Sequence, residues 1–378
     1  YNFFLDSFAH AAGLLGDGLV LPHHTLLLPV GISFYTFQTL SYTIDIYRGR
    51  LEPARGFLRF ALFVSFFPQL VAGPIVRASH FLPQLDRDPQ FDDHAAQRGL
   101  GRILVGLCKK CCIADVLGVA LVDPTFADPS AFGSLHLAIA MYAYAFQIYY
   151  DFSGYSDIAI GAAKMFGFDL PINFDRPYLA TSLGDFWRRW HISLSTWLRD
   201  YLYFPLGGSR GSTMRVAFNL AVVMLLGGLR HGAAWGFVVW GAIHGVLLGA
   251  GRVFRSLTGV NPDRDEQPAV SRIVRILVTF HLVAGCLVVF RAQDWGVIQD
   301  YFTTLAAVRP GSVEVTPIAM AVLMVAALWE VMPRTWITRV AVTLIRLPSP
   351  VQTGAVTVCL LVFAALGGAS PPFIYFQF

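Results

Sequence analysis

The feature that most restricts this chain is a succession of long apolar runs separated by short polar breaks. Runs at or near the length of a membrane span, about 20 residues, fall at Leu26–Ile46, Phe57–Gly73, Gly101–Val122, Ser134–Tyr150, Met214–Leu229, Trp235–Gly251, Ile273–Phe290, Ile318–Val331 and Gly354–Leu366. Several are short, which suits tilted or re-entrant segments, or helices that extend beyond the apolar run. In lipid every backbone polar group must be satisfied internally, which helices achieve within one segment. The expected fold is therefore all-α: a polytopic membrane protein with about eight to ten membrane segments in a single domain over 1–378. No internal repeat is visible. Composition agrees, with 55% hydrophobic and 14% charged residues, against about 25% charged in soluble domains. The 31 Phe, 14 Tyr and 8 Trp carry more apolar surface than one water-bounded core of this length would hide.

The net charge of +4 is spread along the chain and does not suggest nucleic acid as a partner. Arg48, Arg50, Arg55 and Arg59 cluster in one short loop, and Arg252, Arg255, Arg264, Arg272 and Arg275 in or beside another. The positive-inside rule places both in the cytoplasm. The polar stretch Asn261–Pro268 reads as an exposed loop. Five cysteines without regular spacing make no disulfide framework. Cys108, Cys111 and Cys112 around Lys109 and Lys110 read as small apolar residues at a segment edge rather than a metal or lipidation site. No basic stretch followed by a short apolar core opens the chain, so no signal peptide is expected.

Asp151–Arg215 does not read as ordinary spans. It mixes aromatics with Asp151, Asp157, Asp169, Asp175, Arg176, Asp185, Arg188, Arg189, Arg199 and Asp200, and is broken by Pro171, Pro177 and Pro205. Irregular polar backbone survives at membrane depth only where protein or a water-filled cavity surrounds it. Re-entrant or interfacial helices lining a cavity are expected here. Asp151 and Asp157 could belong to a proton or cation path, or to a hydrogen-bonded layer that fixes helix packing.

Three histidines stand in or near apolar stretches: His191, His231 and His244. Ionisable groups inside spans are costly and default to functional hypotheses; the plainer reading is that each bonds a backbone carbonyl and packs. His191 lies among Trp187, Trp190 and Trp197 beside Arg188 and Arg189, as in an amphipathic interfacial segment. On one continuous helix His231 and His244 would lie about 20 Å apart and on different faces, which argues against a shared site. There is no HExxH or Walker A pattern and no GxSxG nucleophile elbow. No metal site is expected.

With these residues in view, the chain resembles the membrane-bound O-acyltransferase family, and within it the bacterial alginate O-acetyltransferase branch, with teichoic-acid D-alanyl transferases as more distant kin. The resemblance runs along nearly the whole chain. It is carried by LPVGISFYTFQTLSYTIDIYRG (Leu28–Gly49), FVSFFPQLVAGPIVR (Phe63–Arg77), YYDFSGYSDIAIGAAKMFGF (Tyr149–Phe168), NFDRPYLATSLGDFWRRWHISLSTWLRDYLYFPLGGSR (Asn173–Arg210) and His231–Gly245. It implies a helical bundle around a central tunnel, with His231, inside a spanning helix, as the catalytic residue and His191 as the second family position. Where the family pattern has Trp before the first of these, this chain has Arg230. The resemblance also implies further spanning helices ahead of Tyr1.

Such an enzyme needs a base to take a proton from an alcohol as it attacks a thioester carbonyl. Histidine suits the task because its protonation changes near working pH. His231 is expected to be the general base, with His191 orienting a substrate group or donating to the developing oxyanion. Asp151, Asp157, Arg188, Arg189, Trp187, Trp190 and His244 are candidates for the tunnel lining. A covalent acyl-histidine relay is an alternative. By resemblance, the donor is acetyl-CoA from the cytoplasm, with no tightly bound cofactor. The acceptor is an exported polysaccharide, and the partners are a periplasmic acetyltransferase and export machinery at a bacterial inner membrane crossed several times. The competing readings are D-alanyl transfer, a solute transporter and a non-catalytic scaffold.

Overall fold

In the computed structural model, residues 31–70, 73–87, 92–232, 234–259, 268–292 and 294–333 are described, with a few further positions as far as 361. The expected loop Asn261–Pro268 lies almost wholly outside them, as do Leu26–Val30 and much of Gly354–Leu366. The regular structure among the described residues is helical. The main elements are α1 (Ile32–Tyr47), α2 (Phe57–Ser65), α3 (Asp93–Leu107), α4 (Ser134–Met165), α5 (Leu183–Arg189), α6 (Ile192–Leu198), α7 (Thr213–Leu229), α8 (Trp235–Thr258), α9 (Ala269–Ala292), α10 (Trp295–Ala306) and α11 (Pro317–Val331). Side-chain caps begin several of them: Asp92 before α3, Ser182 before α5, Ser212 before α7, Asp294 before α10 and Thr316 before α11. Each accepts from backbone N–H groups that the first helical turn leaves without an intrahelical partner.

The core is built on α4. At 32 residues it is about 48 Å long, more than the roughly 30 Å hydrocarbon layer. It is longer than the expected Ser134–Tyr150. Asp151 and Asp157, expected in a re-entrant region, lie on this helix because neighbouring cations neutralise them. Lys110 Nζ is 2.6 Å from Asp151 and 2.6 Å from Asp115, and Lys109 Nζ is 2.6 Å from Asp157. Arg102 Nε donates to Asp157 at 2.8 Å. Both lysines come from Cys108–Ala114, where the continuation of α3 widens into π-helical turns. α3 and α4 also approach closely through glycines: a Cβ on Gly106 would meet the Gly154 carbonyl oxygen at 2.5 Å, and one on Gly161 the Gly99 oxygen at 2.5 Å. Small residues at such crossings are what membrane helices use to pack.

Tyrosines tie the surrounding elements to α4. Tyr301 of α10 donates to the Leu137 carbonyl at 2.6 Å, and Tyr150 donates to Ala326 of α11 at 2.8 Å. Tyr178 donates to the Ala145 carbonyl. Part of the outer surface is apolar. Val246 and Phe254 on α8, Ile273 and Leu277 on α9, and Ile318 and Leu328 on α11 are all exposed, as a lipid-facing shell requires. α8 and α9, 24 residues each, are long and apolar enough to cross a bilayer, and α7 and α11 are shorter apolar helices.

Candidate active site

Two irregular stretches place the candidate residues. The first is the α5–α6 junction. His191 has φ 42° and ψ 56°, a left-handed conformation that costs a non-glycine residue roughly 1–2 kcal/mol. Bonds on both sides hold it there. Ile192 N–H donates to the Asn173 carbonyl at 2.8 Å, and Asp175 N–H to Arg189 at 2.9 Å. The Ser193 hydroxyl donates to Asn173 Oδ1 at 2.6 Å and accepts from Ile75 N–H at 2.9 Å. Over-determination of this kind is how strained backbone persists at functional sites. The His191 ring is 1% exposed and meets Phe152 of α4 edge-on at 4.7 Å.

The second is the turn between α7 and α8. α7 ends at Leu229, and the His231 N–H closes the turn on the Gly228 carbonyl at 2.9 Å. His231 therefore lies just past a helix end, not within a spanning helix as expected. The helix ends at Leu229 and the next begins only at Trp235, so the continuous-helix assumption behind the separation of about 20 Å fails. α8 turns back along α7, and their contact is made by small residues: a Cβ on Gly241 would meet the Met224 carbonyl oxygen at 2.5 Å, and one on Gly245 the Ala221 Cα at 2.8 Å.

This hairpin brings the two histidines to one pocket. His231 and His244 line it together with Ile148, Phe186, Trp190, Trp240, Val283, Leu287 and Phe290. The His231 ring is half-buried and lies edge-to-face at 5.0 Å from Phe290 and 5.5 Å from Trp240, whose ring is 4.8 Å from His244. Trp187 Nε1 donates to His244 Nδ1 at 3.4 Å. Of the expected tunnel residues, Trp190 and His244 line this pocket and Trp187 bonds to one of them. Asp151 and Asp157 do not line it; they sit in the ion pairs described above. Arg188 and Arg189 pair with Asp185, at 3.4 and 2.9 Å, and do not line the pocket. Among the described residues no group of His, Cys, Asp and Glu is placed to hold a metal ion.

The sequence reading missed Trp240, Phe290 and Ile148. Trp240 carried a usable signal, because it precedes His244 by four positions and so shares its helix face. Phe290 and Ile148 carried none, since they reach the pocket only through the packing of α9 and α4.

Residues 54–289 match the model of the membrane-bound O-acyltransferase family. The chain belongs to the membrane-bound O-acyltransferase family. It is 44% identical over 300 residues to a protein of Azotobacter vinelandii named "Probable alginate O-acetylase AlgI", covering 78% of this chain and 56% of that protein. It is 39% identical over 295 residues to the "Peptidoglycan O-acetyltransferase" of Helicobacter pylori, covering 71% and 55%. It is 29% identical over 290 residues to the "Teichoic acid D-alanyltransferase" of Streptococcus thermophilus, covering 70% and 69%. The chain thus spans little more than half the length of the O-acetylase relatives. Membership of this membrane-bound family agrees with the lipid-facing shell and the two long apolar helices.

Proposed function

We propose that the protein containing this chain is a multi-pass inner-membrane O-acetyltransferase. In this reading it takes an acetyl group from acetyl-CoA on the cytoplasmic side and delivers it for O-acetylation of an exported polysaccharide of the alginate type. The observation that carries the reading is His231 at the wall of an aromatic pocket, in the stretch where the resemblance puts the catalytic histidine. An imidazole there can act as a base, and the apolar lining excludes the water that would hydrolyse a thioester.

In the proposed step the acceptor O–H gives its proton to His231 while its oxygen bonds to the thioester carbonyl carbon. The C–S bond then breaks, and the departing thiolate takes the proton back from the imidazolium. His191, fixed by its strained backbone and bonded to Arg230, orients a substrate group outside the lining of this pocket. A passage joining the two membrane faces, a periplasmic acetyltransferase as next acyl carrier and the export machinery belong to the same proposal. The names of the O-acetylase relatives favour acetyl over D-alanyl transfer, through their higher identity.

The test is the variant His231→Ala in the complete protein, with acetylation of the host's exported glycans read by mass spectrometry. Acetylation is expected to disappear while membrane insertion is unchanged. Acetylated glycan at the parental level in that variant would refute the assignment.

A further inference from the structure

The pocket beside His231 is lined by two side chains whose N–H donors meet no acceptor among the described residues. An indole can only donate, so Trp187 Nε1, 3.4 Å from His244 Nδ1, makes that ring nitrogen the acceptor. A neutral His244 then carries its proton on Nε2. His244 is 1% exposed, and among the described residues its Nε2 has no hydrogen-bond partner. Trp240 is 4% exposed, and its Nε1 likewise has none. Both side chains line the same pocket as His231, with Ile148, Val283, Leu287 and Phe290 closing it. None of those four side chains offers an acceptor. Buried donors without partners are costly, and two of them beside a base have a chemical use if an oxygen that becomes negative enters between them.

We infer that His244 and Trp240 form the oxyanion-binding pair of this site, with Trp187 as the positioning residue that sets the His244 tautomer. The inference rests on the acyl-transfer reading and deepens it. As the acceptor oxygen bonds to the carbonyl carbon and its proton passes to His231, the carbonyl π electrons move onto oxygen. His244 Nε2–H and Trp240 Nε1–H hold that oxygen until the C=O re-forms and the C–S bond breaks. His191 is not among the residues lining this pocket, so its role is kept to orientation. The ligand implied is a carbonyl oxygen that gains charge, as in a thioester or ester, rather than a permanent anion.

The experiment uses the complete protein in its host membrane, with labelled acetyl-CoA as donor and the exported polysaccharide as acceptor. Trp240→Phe keeps an aromatic ring, though a smaller one, and loses one N–H; His244→Phe loses the other; His244→Gln keeps a donor. Each loss of a donor is expected to lower kcat on the order of 100-fold, as at other oxyanion holes, with KM changed by less than about threefold. His244→Gln should recover part of the loss. Trp187→Phe should also lower kcat, but not further in a His244→Phe background, because it acts through that ring. A kcat within about twofold of the parent in Trp240→Phe overturns the inference, as does a loss confined to KM. If His244→Phe fails to fold, Trp240→Phe decides alone. His231→Ala is run alongside. If it is as active as the parent, the assignment of His231 as base fails; if the parental protein itself transfers no label, the acyl-transfer reading fails; if His231→Ala is dead while Trp240→Phe is fully active, only the oxyanion pair fails.

Discussion

Arg230 Nη2 lies 3.3 Å from His191 Nε2, so the residue preceding His231 in the chain bonds to the second candidate histidine. A guanidinium has no acceptor and stays charged in proteins. The facing His191 nitrogen therefore accepts, and the ring proton sits on Nδ1. The guanidinium carbon is also 5.0 Å from the centre of the Phe37 ring and 5.9 Å from that of Phe34, in cation–π range. Arg230 thus couples the two irregular stretches that carry the site.

That contact predicts a change in pH dependence. His191 lies at the junction of two seven-residue helices, each too short to span a membrane. Burial, then the Arg230 charge and then His231, hold its imidazole well below the ordinary histidine range; the side packed on α4 meets Phe152. Removing the guanidinium in Arg230→Gln raises the His191 pKa, so its protonation begins at higher pH. The acid limb of kcat for acetyl transfer should move upward, while burial keeps it below that of a free histidine. Superimposable profiles for parent and variant would show that His191 does not sense Arg230.

Lys110 bridges Asp115 and Asp151 at 2.6 Å each, and the carboxylates are 9% and 3% exposed. Lys110→Met leaves both buried carboxylates without this shared cation, which costs about 3 kcal/mol or more. Asp151→Asn leaves Lys110 its pair with Asp115 and should cost less. Thermal unfolding in detergent should rank the variants in that order; equal melting temperatures would show that the bridge contributes nothing to stability.

The α7–α8 contact leaves no room at Gly241, where a Cβ would meet a backbone oxygen at 2.5 Å. Gly241→Val should part the two helices, displace the turn bearing His231 and abolish transfer with a lowered melting temperature. Gly251, on the same helix, has nothing within 4 Å of an added Cβ. Gly251→Ala should retain full activity and gain up to about 1 kcal/mol from helix propensity. Comparable damage in both variants would point to a general intolerance of α8 rather than to this crossing.

Phe290, 2% exposed, lies 5.0 Å from His231, 4.9 Å from Phe237 and 5.2 Å from Trp240, ring centre to ring centre. Phe290→Ala should cost about 3 kcal/mol in a packed interior and lower kcat by freeing the His231 ring. Phe290→Leu, which keeps most of the volume, should restore stability more than activity. Activity following stability in strict proportion would show that the ring contributes packing alone.

Much of the fold was legible because its signals are local. The apolar runs at Met214–Leu229, Trp235–Gly251 and Ile318–Val331 became α7, most of α8 and α11 within a few residues. The run ending at Tyr150 was cut short because Asp151 and Asp157 look like span-breakers; only the lysines of a distant turn show that they are not. The His231–His244 relationship was misjudged for a related reason. The glycines around His231 were visible as points of close approach, but not the end of the helix at Leu229 or the direction in which the chain leaves it.

The sequence by itself determined that this chain is a helical membrane protein, which family it belongs to and which histidines deserve suspicion, because hydropathy, helix signals and motif residues are properties of short stretches. Only the tertiary structure decided that His231 and His244 share a pocket, that Trp187 and Arg230 each face a histidine, and that the central aspartates are ion-paired. Those facts depend on which faces of separate helices meet, and that is set by close packing at a few small residues far apart in the chain.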